Sequence, residues 1–358
     1  MRSSDAIIIG AGIIGVSLAV ELRKKGLRVL IVERAEPGRE ASYAAAGMLA
    51  ASGAELPTPL QALAQESARM YPEFVYELEA ESGLKVDLRD QGTILVACDG
   101  DLPRDAEPLS PQRLKSLESS VTLPCEPHPA AGPQTRAAYL AERSVDPRAL
   151  IAAALKAARH REVDVASGAE VKSLLMKAGR AAGVQTEKTQ YAAPIVVNCA
   201  GAWAGKIAPV ELPVKPVKGQ MLALVEAPPL RHVVRSARVY LVPRSDGRLV
   251  VGSTLENAGY NKQTVADDLQ QLFEAAVELV PDIAKSLRHE AWAGLRPGTP
   301  DELPILGETA IPGYFAATGH YRDGILLAPI TARVMADLIT SGKSQHDLSA
   351  FSPDRFTL

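Results

Sequence analysis

Apolar and polar positions along the 358-residue chain follow two different rules in alternating stretches. In the first kind of stretch, apolar residues run together. Ala6–Ile9 is apolar throughout and reads as a strand buried on both faces. Residues 14–25 place Val16, Ala19 and Val20 at helical spacing, then stop on Lys24, Lys25 and Gly26. Val29–Val32 is a second apolar run. Strand, helix and strand within about thirty residues predict a βαβ unit on a parallel sheet. The same kind of run returns at residues 195–197, and residues 313–342 read as strand, glycine-bearing loop and helix. Asp146-Pro147 opens a further helix, since proline is tolerated at a first helical position.

In the second kind of stretch, apolar and polar residues alternate. "VDLRDQGTILVA" starts an antiparallel region, and residues 211–256 continue it through Met221, Ala223 and Val225, Tyr240 and Val242, Leu249 and Val251. Period-two alternation predicts antiparallel strands with one solvated face. Helices are expected over residues 61–82 and 264–280. Residues 99–133 are rich in proline and poor in periodic apolars, which predicts a loop-rich excursion. No internal repeat is visible.

At the end of the first strand, Gly10, Gly12 and Gly15 spell G-x-G-x-x-G. Gly10 permits a tight turn, Gly12 lets a pyrophosphate approach the backbone, and Gly15 lets helix and strand pack closely. The helix N-terminus then offers free N–H groups to the phosphates. Glu33 closes the second strand, where a carboxylate accepts hydrogen bonds from an adenosine ribose. Strand, motif, helix and acidic residue together predict a bound dinucleotide. Glu33 argues against NADP but leaves FAD and NAD open, and the motif's place at the start of the chain leans toward FAD.

Composition narrows the partner. A net charge of −3 with 47% apolar residues excludes the electrostatic footprint of nucleic-acid binding and leaves a small molecule. Cys98, Cys125 and Cys199 are far apart and form no C-x-x-C, so they read as free thiols in a reducing cytoplasm. The histidines, His128, His160, His232, His289, His320 and His346, lack ligand spacing, so no metal is expected. Residues 6–22 are apolar, but Asp5 stands in place of a positive flank and glycines interrupt the run. The chain reads as cytoplasmic, with no membrane span.

Seven segments extend the argument: "GAGIIGVSLAVEL", "ASYAAAGML", "VVNCAGAWAG", "PVKGQML", "VYLVPRSDGRLVVGSTLE", "WAGLRPGTPDELPILG" and "GHYRDGILLAP". In this order they resemble the FAD-dependent amino-acid oxidase family of D-amino-acid, sarcosine and glycine oxidases. The similarity runs over nearly the whole chain and is greatest to the bacterial glycine-oxidase branch of the thiamine pathway. It implies an α/β (α+β) two-domain fold. A Rossmann-like FAD-binding domain with a parallel sheet would comprise residues 1–50, 143–204 and 291–345. A substrate-binding domain with a mostly antiparallel sheet would comprise 51–142 and 205–290, with 346–358 as a tail.

The resemblance also implies residue roles. Gly10, Gly12, Ile13, Ile14, Gly15, Glu33 and Arg34 would hold the dinucleotide, and Ser42, Ala45, Ala46, Gly47 and Met48 would line its pyrophosphate and flavin. Small side chains suit that task because the backbone itself must reach the cofactor. Val171 would meet the adenine, and Ala200, Gly201 and Trp203 match a strand-end loop beside the cofactor, with Cys199 as a packed thiol. His320, Arg322, Asp323, Gly324, Ile325 and Leu326 match the loop-to-helix turn at the flavin's edge, where donors stabilise developing negative charge.

Arg296, set between Gly294, Pro297 and Gly298, matches the family's carboxylate-binding arginine, and Tyr240 its assisting tyrosine. A planar guanidinium gives a carboxylate two parallel charge-assisted bonds. Arg296, Tyr240 and Arg322 are therefore the catalytic candidates, with Met48 in the substrate pocket. Arg238, two residues before Tyr240, either shares its face or is a solvated rim charge. If it faces inward, the substrate carries a second anionic group and Leu255 forms an apolar wall.

The implied reaction is oxidation of a small amino acid or secondary amine, such as glycine, sarcosine or a small D-amino acid. Hydride passes to non-covalently bound FAD, and the products are an oxo acid, ammonia or amine, and hydrogen peroxide from dioxygen. Two other outcomes stay open: a dehydrogenase with a non-oxygen acceptor, and a tRNA-modification flavin domain of the same fold. The family also implies a homo-oligomer.

Overall fold

The apolar runs meet in one sheet. In the computed structural model, which describes residues 4–51, 56–97, 102–103, 105–123 and 136–356, Ala6–Ile9 lies centrally between Val29–Val32 and Ile195–Asn198. Asp164–Ala166 extends the sheet at one edge, and Tyr314–Thr318 then Ile305–Glu308 at the other. All neighbours are parallel except the Ile305–Glu308 edge strand. Side chains alternate between two cores. Ile8, Ile31 and Val197 point to helices Ile13–Lys24, Thr58–Ser82, Pro147–His160 and Gly324–Ser341. Ile7, Ile9, Val32 and Val196 point to the three-stranded antiparallel sheet Val171–Lys177, Arg180–Thr186 and Gln190–Ala192.

Gly324–Ser341 is the one described helix long and apolar enough to cross a membrane, and here it is a core helix whose apolar window is 61% buried. The N-terminal apolar run is a strand, a glycine turn and a separate helix.

The alternating stretches form an eight-stranded sheet, antiparallel except where Thr93–Ala97 pairs with Val233–Arg235. Its longest pairing joins Lys215–Val225 to Leu287–Gly298. One face carries Leu222, Leu224, Leu241 and Val251 into a core closed by helix Ala266–Leu279. The other face was expected to be solvated. Instead Met221, Val233, Val242 and Val250 meet Ala44 and Ala46 from the N-terminal segment. The strands alternate because two different interiors flank them, one of which is the site described below.

Two further expectations change. Helix Thr58–Ser82 falls by chain position in the substrate-binding part, yet it packs on the parallel-sheet side. Leu60, Leu63, Tyr71, Val75 and Leu78 form a helical stripe in that core. The proline-rich excursion also contains a strand, Glu107–Leu109, paired with Arg136–Leu140, and a helix, Pro111–Leu117, capped by Ser110. Residues 98–101, 104 and 124–135, with Cys98, Cys125 and His128, lie outside the described residues.

Candidate active site

The first glycines are positioned by contacts that no side chain could share. A Cβ on Gly10, which has φ +103°, would lie 2.5 Å from the Cys199 carbonyl oxygen. One on Gly15 would lie 2.1 Å from the Gly10 carbonyl oxygen, so Gly15 serves helix–strand packing and does not line the cavity. The Ile13 N–H donates to Ser42 Oγ at 2.9 Å, which ties the helix start to the small-residue stretch. Glu33 is 8% exposed and accepts from the Ala11 and Ala35 N–H groups at 2.8 and 3.0 Å. A carboxylate has about four acceptor positions, so capacity for ribose hydroxyls remains.

From this turn a cavity of about 830 Å³ runs between the two sheets. Its wall includes Gly10, Gly12, Ile13, Ile14, Glu33 and Arg34, then Ser42, Ala45, Ala46, Gly47 and Met48. Val171, Ala200, Gly201 and Trp203 also line it, as do His320, Arg322, Asp323, Gly324 and Ile325. Arg34 stacks 3.5 Å over the Trp203 ring, and Tyr260 covers that ring at 5.4 Å between centroids. Cys199 is buried, and burial pushes its thiol up, so it stays protonated. Leu326 is 2% exposed and off the wall, with its carbonyl accepting from Ser67 Oγ at 2.6 Å.

The small-residue stretch is held from the antiparallel sheet. Buried Arg244 donates to the Val145 and Ala46 carbonyls at 3.1 and 2.6 Å. Trp292 Nε1 donates to the Ala44 carbonyl at 3.0 Å, and a Cβ on Gly294 would come within 2.5 Å of Ala44 Cβ. Arg244 lies in the quoted motif "VPRSDGR", but nothing in the sequence pointed to its task.

Tyr240 and Arg296 meet on the far wall. Arg296 Nη2 donates to Ser253 Oγ at 2.6 Å, and Nη1 to the Lys218 and Thr254 carbonyls, each at 3.3 Å. No carboxylate pairs with Arg296 among the described residues. Gly219 makes room for it, since a Cβ there would lie 2.3 Å from Nη1. Gly252 does the same for Tyr240, whose hydroxyl would be 2.6 Å from a Cβ. The Tyr240 hydroxyl donates to Met221 Sδ at 3.2 Å. Burial pushes this phenol above its ordinary range, against the pull of neighbouring Arg296 and Ser253.

The loop at the helix start bonds to the same strand: the Tyr321 N–H donates to the Pro297 carbonyl at 3.0 Å. His320 is 3% exposed, bonds Thr331 Oγ1 at 3.0 Å, and is held neutral by burial, which lowers its pKa to about 3. Arg322 borders the cavity, half exposed, 3.9 Å from Glu302.

One open pocket reading is decided and one expectation is corrected. Arg238 borders the cavity, but its side chain is 64% exposed and pairs with Glu278 at 2.5 Å, which is the rim-charge reading of the two left open. Leu255 is 64% exposed and off the wall, because its strand ends at Gly252. A further cation on the wall is Arg235, which the sequence reading missed. It sits directly across from Tyr240 and 3.7 Å from Glu142.

A glycine cradle at a helix N-terminus, an acidic residue at the next strand end and a long cavity between sheets fit a flavin dinucleotide. Comparisons with known proteins agree. A family described as FAD dependent oxidoreductase matches residues 5–338. The chain is 36% identical to the bifunctional protein ThiO/ThiG of Trichormus variabilis over 98% of its length, and covers 55% of that protein. The chain thus spans about half the length of such curated relatives. It is 34% identical to a glycine oxidase of Pseudomonas aeruginosa, covering 98% of this chain and 99% of that one. The crystal structure of glycine oxidase from Geobacillus kaustophilus superposes with a TM-score of 0.90 at 31% identity, covering 99% of this chain and 100% of that one.

Proposed function

The chain belongs to the FAD dependent oxidoreductase family, and from that premise we propose that it oxidises a small α-amino acid or N-substituted glycine. Glycine, sarcosine and small D-amino acids fit. Dioxygen is the electron acceptor, and the products are the oxo acid, ammonia or an amine, and hydrogen peroxide. FAD is held non-covalently and, when bound, supplies the hydride acceptor.

The observation that carries this reading is the Arg296 fork. It stands on the cavity wall beside a tyrosine and, among the described residues, is bonded only to neutral oxygens. A guanidinium has five donors, so it keeps capacity for a carboxylate. Arg296 and Tyr240 would hold the acid end and aim Cα–H at the cofactor. Orientation of this kind contributes on the order of 7–11 kcal/mol at best. The amine binds as the free base, so its lone pair forms the imine as hydride leaves. His320 is the one histidine on the described wall. Held neutral and bonded to Thr331, it is poorly placed as a proton acceptor for the substrate. Arg322, at the start of the core helix, adds positive charge near the flavin's edge. The same reading divides the chain into a cofactor part and a substrate part, with helix Thr58–Ser82 moved to the former.

The test is anaerobic addition of glycine, sarcosine, D-alanine or D-aspartate to the purified yellow protein. Bleaching by at least one is expected, and bleaching by none overturns the proposal. In air the bleaching substrate should yield one peroxide per turnover. Its absence would assign the electrons to another acceptor.

A further inference from the structure

Arg296 and its partner Ser253 line the cavity, but the two carbonyls that hold the other arm of its fork belong to residues off the wall. Its Nη1 bonds the carbonyls of Lys218 and Thr254. The side chains of these two residues converge on one carboxylate. Glu256 Oε2 accepts from Lys218 Nζ at 2.9 Å, and Oε1 accepts from Gln220 Nε2 at 2.8 Å and from the Thr254 hydroxyl. The backbones of Lys218 and Glu256 exchange two further hydrogen bonds of 2.9 and 3.0 Å. Gln220, fully buried, donates its own N–H to Thr254 Oγ1 at 2.8 Å and accepts from the Val265 N–H at 2.6 Å. Neither Lys218 nor Glu256 reaches the cavity wall.

Lys218 is 2% exposed, which is costly for an ammonium group. A buried ion pair contributes little net stability compared with apolar side chains of the same size, so stability alone is a weak reason to keep one here. The pair does fix direction. Through Glu256, the two carbonyls that grip Nη1 belong to residues locked to a single carboxylate.

We infer that the buried Lys218–Glu256 pair, with Gln220 and Thr254, is a positioning device that aims the Arg296 fork at the substrate carboxylate. The inference rests on the carboxylate-binding role proposed above for Arg296. Loss of the Glu256 charge leaves the cavity wall intact but lets the two carbonyls and the fork drift. Carboxylate binding therefore weakens, while the chemistry of a correctly bound substrate is preserved.

The test uses the FAD-loaded enzyme with acetate as the probe, followed by the change in flavin absorbance. Glu256→Gln should raise the acetate Kd and the substrate KM about tenfold, with kcat within about twofold and FAD content unchanged. Arg296→Lys should weaken acetate as well. Glu256→Gln added to Arg296→Lys should then cost nothing more, because both act on one interaction. Three results overturn the inference alone: an unchanged acetate Kd in Glu256→Gln while Arg296→Lys weakens it, additive effects in the double variant, or a fall in kcat at constant KM. Unweakened acetate in Arg296→Lys removes the parent reading and this one with it. If Glu256→Gln gives no soluble flavoprotein, Thr254→Val takes its place. It removes one bond to Glu256 and should raise the acetate Kd in the same direction, and an unchanged Kd overturns the inference.

Discussion

A methyl group at Gly219 would lie 2.3 Å from Arg296 Nη1 and 2.4 Å from Nη2. Gly219→Ala should therefore push the fork aside. The expected result is a KM at least about tenfold higher with FAD retained, read from steady-state kinetics and the flavin spectrum. Arg238→Ala is the contrast. Its exposed pair with Glu278 is worth about 0–1 kcal/mol, so KM should stay within about twofold. At this scale the sequence was legible where a residue's neighbours force its type, as at Gly10 and Gly15. It misled at Leu255 and left Arg238 open between two readings. The rule that i and i+2 share a face holds inside a strand, but the strand begins at Tyr240, and Arg238 lies in the turn before it. Arg235 is on the preceding strand, directly opposite Tyr240. That cross-strand register depends on the turn geometry, which periodicity does not reveal.

At the scale of elements, the βαβ unit was readable because three constraints coincide: apolar runs, glycine spacing and an acidic strand end. Gly15→Ala tests the tightest of its contacts. Its Cβ would collide with the Gly10 carbonyl, forcing helix Ile13–Lys24 off the strand and turning its N-terminus away from the phosphates. The variant should purify without yellow colour and melt at lower temperature, as judged by absorbance and thermal unfolding. A yellow variant with an unchanged Tm would show that the helix tolerates the displacement. The helix at 58–82 illustrates what periodicity cannot supply. Its apolar stripe was clear, yet a stripe does not say which of two cores receives it. The alternating strands were equally clear, and the error lay in assuming water on their second face.

For the whole molecule, the parallel and antiparallel sheets are joined around the cavity by Arg244, by Trp292 and by Arg148, whose fork grips Glu290 at 2.7 and 3.0 Å. His320 lines the cavity and bonds the core helix, and its burial makes stability depend on pH. Burial lowers its folded pKa from 6.5 to about 3, so the unfolded chain binds a proton that the folded one refuses. The contribution is complete above pH 6.5 and drains as pH falls toward 3, at up to about 1.4 kcal/mol per unit. Denaturation of the FAD-loaded protein between pH 7 and about 4.5 should show this slope. His320→Gln, which can still bond Thr331, should flatten it by that amount, and parallel slopes would contradict the assignment.

One measurement bears most directly on the claim that a single guanidinium orients the substrate. Arg296→Ala, with FAD still bound, should raise KM for the best amino-acid substrate about a hundredfold, roughly 3 kcal/mol for a lost charge-assisted pair. An unchanged KM would mean that the carboxylate is held elsewhere.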